Sequence, residues 1–160
     1  MLNIPQFKAF IIIPTLDYIC CNSPAATNLL IGTALQESQL IYLDQTSPGP
    51  GPAYGLYQME EATCNDIWIN YIYYNAGLRN RVLSLLGAWP DRIEALHTNL
   101  AYATAMCRIH YLRVKESLPG ARDALGLAKY WKQYYNTEKG RGTIQEFMQN
   151  YSKYELLLET

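Results

Sequence analysis

An excess of charge of either sign is missing from this sequence. Thirteen lysines and arginines face fourteen aspartates and glutamates, and charged residues fill only 17% of the 160 positions. No block of like charges occurs. The electrostatic grip that nucleic acid or an anionic lipid surface demands is therefore absent, so no nucleic-acid partner is expected and a neutral or mixed-charge partner fits better. Also absent is an apolar run of the roughly 18 residues that a membrane helix needs, so no membrane span is expected and the chain should be soluble. The opening MLNIPQFKAFIIIPTL carries an apolar patch, yet Pro14 interrupts it and no small-residue cleavage site follows. It reads as folded structure rather than a signal peptide.

Metal ligands are scarce too. Two histidines, His97 and His110, and four cysteines, Cys20, Cys21, Cys64 and Cys107, form neither a CxxC pair nor a zinc-ligand spacing. The thiols read as reduced and mostly buried, and no metal or organic cofactor is expected. Apolar residues, by contrast, are plentiful: at 49% they can build a core, and the length suits one domain over residues 1–160. No repeat, low-complexity segment or interdomain linker is visible.

Helix signals dominate. Ser23-Pro24 pairs a capping hydroxyl with proline at the first helical position, and the mostly apolar AATNLLIGTALQES continues the helix. SPGPGPAYG, from Ser47, has three prolines and three glycines in nine residues and must be a loop. MEEATCNDIWINYIYYN opens with acids suited to a helix N-terminus, although its isoleucines and tyrosines also fit a strand. Leu96, Leu100, Ala103, Cys107, Tyr111, Val114 and Leu118 form the stripe of one long buried helix, which Pro119-Gly120 ends. ARDALGLAKYWKQYY predicts another helix, followed by the turn NTEKGRG. Thr143 and Glu146 form a capping box, and Phe147, Tyr151, Tyr154 and Leu158 make the inner face of a closing helix. The fold class is all-α.

One acid stands out within the stretch TALQESQL. Glu37 is the first charge after Ser23 and sits in the last turns of its helix. The negative end of the helix dipole and apolar neighbours such as Leu35, Leu40 and Ile41 would both raise its pKa. A glutamic acid that stays protonated near neutrality can donate a proton to a leaving oxygen, as cleavage of a glycosidic bond requires. On local sequence alone the plainer account, an acid that ends a helix and points to water, outweighs the catalytic one.

The downstream motifs change that balance. ES at 37–38, AYGLYQM at 53–59, the helix with TNLAYATA, and YYN at 134–136 before a glycine-rich turn resemble, in order, the motifs of the soluble lytic transglycosylases. The resemblance covers roughly residues 23–150. It implies a lysozyme-like α-helical fold and cleavage of the β-1,4 link between N-acetylmuramic acid and N-acetylglucosamine in peptidoglycan. By position, Glu37 becomes the general acid and base, and Ser38 a neighbour orienting it or the sugar. Gly55 and Gln58 match a ligand-approaching loop in which the amide bonds an acetamido group. Tyr57 replaces the family's usual methionine and can stack on a sugar or pack in the core. Asn99 matches the helix motif, and Tyr135 and Asn136 the last one, where the tyrosine would hold the carboxyl of Glu37. Because the motif reads YYNT rather than YNAG, the site tyrosine is Tyr134 or Tyr135.

Asp44, seven residues after Glu37, is a candidate second carboxylate, although aspartate beside a Pro/Gly loop is common for turn reasons alone. With it, the enzyme would be a hydrolase, a muramidase or chitinase-like lysozyme. Without it, the substrate's own 2-acetamido group and 6-hydroxyl would complete the reaction. CCNSPAATNLLIGTALQESQL, GLYQMEEATCNDIW and YYNTEKGRGT resemble more closely the lysozyme-like proteins of bacteriophages. That implies a virion protein that thins the bacterial cell wall during genome entry, with glycan strands and other virion proteins as partners. A structural virion protein without activity is the remaining alternative.

Overall fold

The computed structural model describes residues 1–44, 51–88, 91–137 and 140–158, with the Leu158 side chain left aside. The described chain is largely α-helical. Helices α1 (Ile4–Phe7) and α2 (Ile13–Tyr18) are joined by a π-helical stretch, Lys8–Ile12. The widened turn lies just ahead of Pro14, whose ring would clash with a carbonyl of a regular α-turn. The apolar opening is thus folded: Ile4, Phe7, Ile12, Leu16 and Ile19 are buried, while Phe10 faces solvent.

Helix α3 (Pro24–Ser38) begins as its sequence predicts, with Ser23 Oγ accepting the Ala26 N–H at 3.1 Å. Residues on every side of it are buried, from Ala26 to Ser38, so it threads the core rather than lying on it. After residues 45–50, where part of the Pro/Gly loop falls outside the described residues, a short hairpin pairs β1 (Ala53–Tyr54) with β2 (Met59–Glu60). Composition alone reads this region as loop, because two-residue strands carry no alternation to detect.

Helix α4 (Glu61–Asn70) and the 3-10 turn Ile72–Tyr74 follow, so the ambiguous MEEATCNDIWINYIYYN is mainly helical. Then come α5 (Ala76–Leu86), capped by Asn75, and the short α6 (Glu94–Thr98). Helix α7 (Leu100–Leu112) is the second threading helix, with every residue from Tyr102 to Ile109 buried. The stripe expected to form one helix from Leu96 to Leu118 is therefore broken. Asn99 takes an extended conformation and its Oδ1 accepts the Tyr102 N–H at 2.9 Å, which starts a new helix; α7 stops at Leu112, before Pro119-Gly120.

Helix α8 (Ala124–Trp131) runs into a second π-helical stretch, Lys132–Asn136. Helix α9 (Ile144–Leu158) closes the chain behind the reciprocal capping box, with Thr143 N–H bonded to Glu146 Oε2 at 2.7 Å and Glu146 N–H to Thr143 Oγ1 at 3.2 Å. Phe147, Tyr151 and Tyr154 are buried, and the fourth expected face residue, Leu158, lies outside the described side chains. Packing centres on α3, which contacts α7, α8 and α9. Gly32 permits a close approach to α9, since an added Cβ would stand 2.3 Å from Phe147 Cζ.

All four cysteines are free thiols, as expected; Cys64 and Cys107 are buried and Cys21 half-buried, while Cys20 is exposed. Among the described residues no helix is long and apolar enough to cross a membrane.

Candidate functional site

The C-terminus of α3 sets the position of Glu37. Gln39 and Leu40 both adopt left-handed backbone, φ 53° and 54°, which turns the chain sharply away. Ser38 fastens this reversal: its Oγ donates to the Ala34 carbonyl at 3.0 Å and accepts the Leu40 N–H at 3.2 Å. Ser38 is buried, and its hydroxyl is spent on backbone. It places Glu37 by holding the helix end, not by facing a ligand.

Glu37 lines a groove of about 590 Å³. One wall is the hairpin and the start of α4, with Gln58, Met59, Glu60 and Thr63. The other runs from the end of α8 through the π-helical stretch to residues 140–142, with Trp131, Tyr135, Asn136 and Arg141. The indole of Trp131 donates to Glu37 Oε1 at 2.8 Å. Indole N–H can only donate, so Oε1 must accept, and the proton of the neutral acid is left for Oε2. Burial pushes the Glu37 carboxyl up to about 7, against a smaller downward pull from the Trp131 hydrogen bond. The acid is therefore divided between its two protonation states near neutrality.

The hairpin carries Gln58 into the groove. Its backbone is left-handed, φ 46°, and its Nε2 donates to the Gly55 carbonyl at 2.8 Å, which leaves Oε1 without a partner among the described residues. Gly55 has φ 73°, and a Cβ there would stand 2.0 Å from the Leu96 carbonyl oxygen. The close approach that demands glycine is thus to the protein's own backbone. Tyr57 is buried, with its hydroxyl 3.1 Å from Thr104 Oγ1; it belongs to the core and offers no stacking face.

The π-helical stretch presents Tyr135 and Asn136 to the groove, an irregularity of the kind found at functional sites. Tyr135, not Tyr134, is the tyrosine that lines it. Its hydroxyl donates to the Tyr57 carbonyl at 2.7 Å, so the expected hold on Glu37 passes instead to Trp131. His110 supports the stretch from α7. Arg113 can only donate to His110 Nδ1, at 3.2 Å, which leaves the Nε2 proton to bond the Tyr134 carbonyl at 2.8 Å. Burial lowers the His110 pKa and favours this neutral form. Lys132 ties the stretch to the next turn, with Nζ bonded to Asn136 Oδ1 at 2.7 Å and the Gly140 carbonyl at 2.9 Å.

Like Ser38, Gly55 and Tyr57, two further expected site residues are outside the groove lining. Asn99 is outside the groove lining; it caps α7 and donates to the Leu85 carbonyl at 2.8 Å. Asp44 is exposed, forms a bridge to Tyr54 and is likewise not part of the lining. The second carboxylate that does line the groove is Glu60, at the end of β2. Sequence reading passed over Glu60, Trp131, His110 and Arg141. The EE pair at 60–61 read only as a helix start, and Trp131 is 94 residues from its partner.

Among the described residues no group of three or more His, Cys, Asp or Glu side chains is placed to hold a metal ion. No family model, curated protein or solved structure matches the chain.

Proposed function

We propose that the protein is a peptidoglycan lytic transglycosylase of lysozyme-like fold, cleaving the bond between N-acetylmuramic acid and N-acetylglucosamine through Glu37. The observation that carries this is the half-buried Glu37 carboxyl, raised to about 7, on a groove lined by amides and aromatic rings. Amides such as those of Gln58 and Asn136 suit the acetamido groups of such a glycan. The order of motifs around Glu37, Gln58 and Tyr135 supports the substrate.

In the first step the neutral Glu37 gives its proton to the glycosidic oxygen as the bond from C1 breaks, and the 2-acetamido oxygen stabilises the positive charge at C1. In the second, the Glu37 carboxylate removes the proton of the same sugar's 6-hydroxyl while O6 closes on C1. The products are a free 4-hydroxyl and a 1,6-anhydromuramoyl end, with no water consumed. A group with a pKa near the working pH serves as both acid and base. The setting we infer is a phage virion, with action on the bacterial cell wall during infection and glycan strands and neighbouring virion proteins as partners.

Glu60 favours a second reading, hydrolysis, because a carboxylate in the groove can take the proton of an attacking water. Mass spectrometry of fragments released from purified peptidoglycan separates the two. Transglycosylation gives fragments lighter by one water than their reducing-end counterparts; a wholly reducing product set would replace the first reading with the second. Intact peptidoglycan would overturn both and leave a structural virion protein.

A further inference from the structure

We propose that Arg141 is a specificity residue that binds a carboxylate borne on the O3 side of the muramoyl sugar, so that the groove prefers anionic glycan strands to neutral chitin-like ones. This rests on the reading that the groove receives a glycan. Arg141 lines the same groove as Glu37 and is exposed. It makes no hydrogen bond or ion pair among the described residues, where the one recorded ion pair joins Arg113 to Asp66. The neighbouring cation, Lys132, is consumed by Asn136 and Gly140.

The backbone under Arg141 is held on both sides. A Cβ at residue 140 would stand 2.3 Å from the Asn136 carbonyl oxygen, and one at residue 142 would stand 2.7 Å from Trp131 Cη2 and 3.2 Å from Gln36 Nε2. Glycine on either side thus lets the segment press against the groove wall, and Lys132 clamps the Gly140 carbonyl. The residue between them is a guanidinium whose donors have no partner among the described residues. A planar fork of N–H donors is met by a carboxylate with two parallel hydrogen bonds, whereas a single sugar hydroxyl oxygen lacks that matching pair of acceptors. Along a peptidoglycan strand every second sugar carries acid on its O3 substituent: the lactyl carboxylate itself in a peptide-free strand, or an acidic residue of the stem peptide where the lactyl group is amidated. Chitin has neither.

Calorimetry with the full chain in the E37Q background, to prevent turnover, tests this. The ligands are a peptide-free tetrasaccharide of alternating N-acetylglucosamine and N-acetylmuramic acid, the same strand bearing stem peptides, and chitotetraose. The E37Q protein is expected to bind an anionic strand about tenfold more tightly than chitotetraose, a preference that added salt erodes. E37Q/R141Q is expected to lose that preference and keep its affinity for chitotetraose, while E37Q/R141K retains part of it. Tighter binding of the peptide-free strand assigns the lactyl carboxylate, and tighter binding of the peptide-bearing strand assigns the stem acid. Equal weakening of all three ligands by R141Q, or no change in any, overturns the proposal but leaves the groove a glycan site. Failure of E37Q to bind any of the three defeats the glycan reading, and this proposal with it.

Discussion

Removing the charge of Glu37 should stabilise the protein, and only where that charge exists. Burial lifts the carboxyl from an ordinary 4.5 to about 7 in the folded chain. The native state therefore holds a proton that the unfolded chain has already released between these two values, so stability falls as pH rises through that window. The full contribution is present below about pH 4.5, and the loss is complete above about pH 8. At about 1.4 kcal/mol per pH unit the window is worth about 3 kcal/mol. Glu37→Gln keeps the shape and an oxygen for the Trp131 N–H but never ionises. Its melting temperature should match the wild type at pH 4 and exceed it by about 6–12 °C at pH 8.5, given the usual 2–4 °C per kcal/mol for a chain of this size. Differential scanning calorimetry across this range reads the gap directly. A gap that does not grow with pH, or a wild type more stable than the variant at pH 8.5, would refute the buried-acid reasoning.

Replacing Trp131 by Phe removes the donor that favours the charged carboxylate, so the alkaline limb of the pH–rate profile should move to higher pH; an unmoved or lowered limb would contradict the role given to the indole. Asn99→Ala should cost about 1–2 kcal/mol in chemical denaturation through the lost cap, with glycan affinity unchanged. A selective loss of affinity without loss of stability would return Asn99 to the site.

Local signals in the sequence were strong where the structural cause is itself local. Ser23 and Pro24 start α3, and Thr143 with Glu146 starts α9, because caps are built from residues three apart. The same physics explains where the stripe from Leu96 to Leu118 misleads: apolar periodicity continues across Asn99, but a side chain that accepts the Tyr102 N–H starts a new helix there. Motif position points to Tyr57 and Asn99, but the structure spends both on the protein, one on Thr104 and the other on a cap. Gly55 is required, but for the Leu96 carbonyl.

Within the site, Glu37 and Gln58 were legible as short motifs, and the choice between Tyr134 and Tyr135 needed the π-helical stretch to decide which ring lines the groove. The partner of Glu37 was not legible at all. Trp131 lies on α8, far along the chain, and only the packing of α8 against α3 brings the indole to the carboxyl. In the sequence Arg141 is only part of the turn NTEKGRG; in the structure the glycines on either side of it are where the chain touches Asn136 and Trp131.

The central claim is that Glu37 is the acid that breaks the glycosidic bond. Its most direct test is release of soluble fragments from purified peptidoglycan by the wild type and by Glu37→Gln at equal concentration and pH, with folding of both checked by their melting curves. The account predicts that the wild type releases fragments and that the variant, equally folded, does so about 10²–10⁴-fold more slowly. Release by the folded variant at the wild-type rate would contradict it.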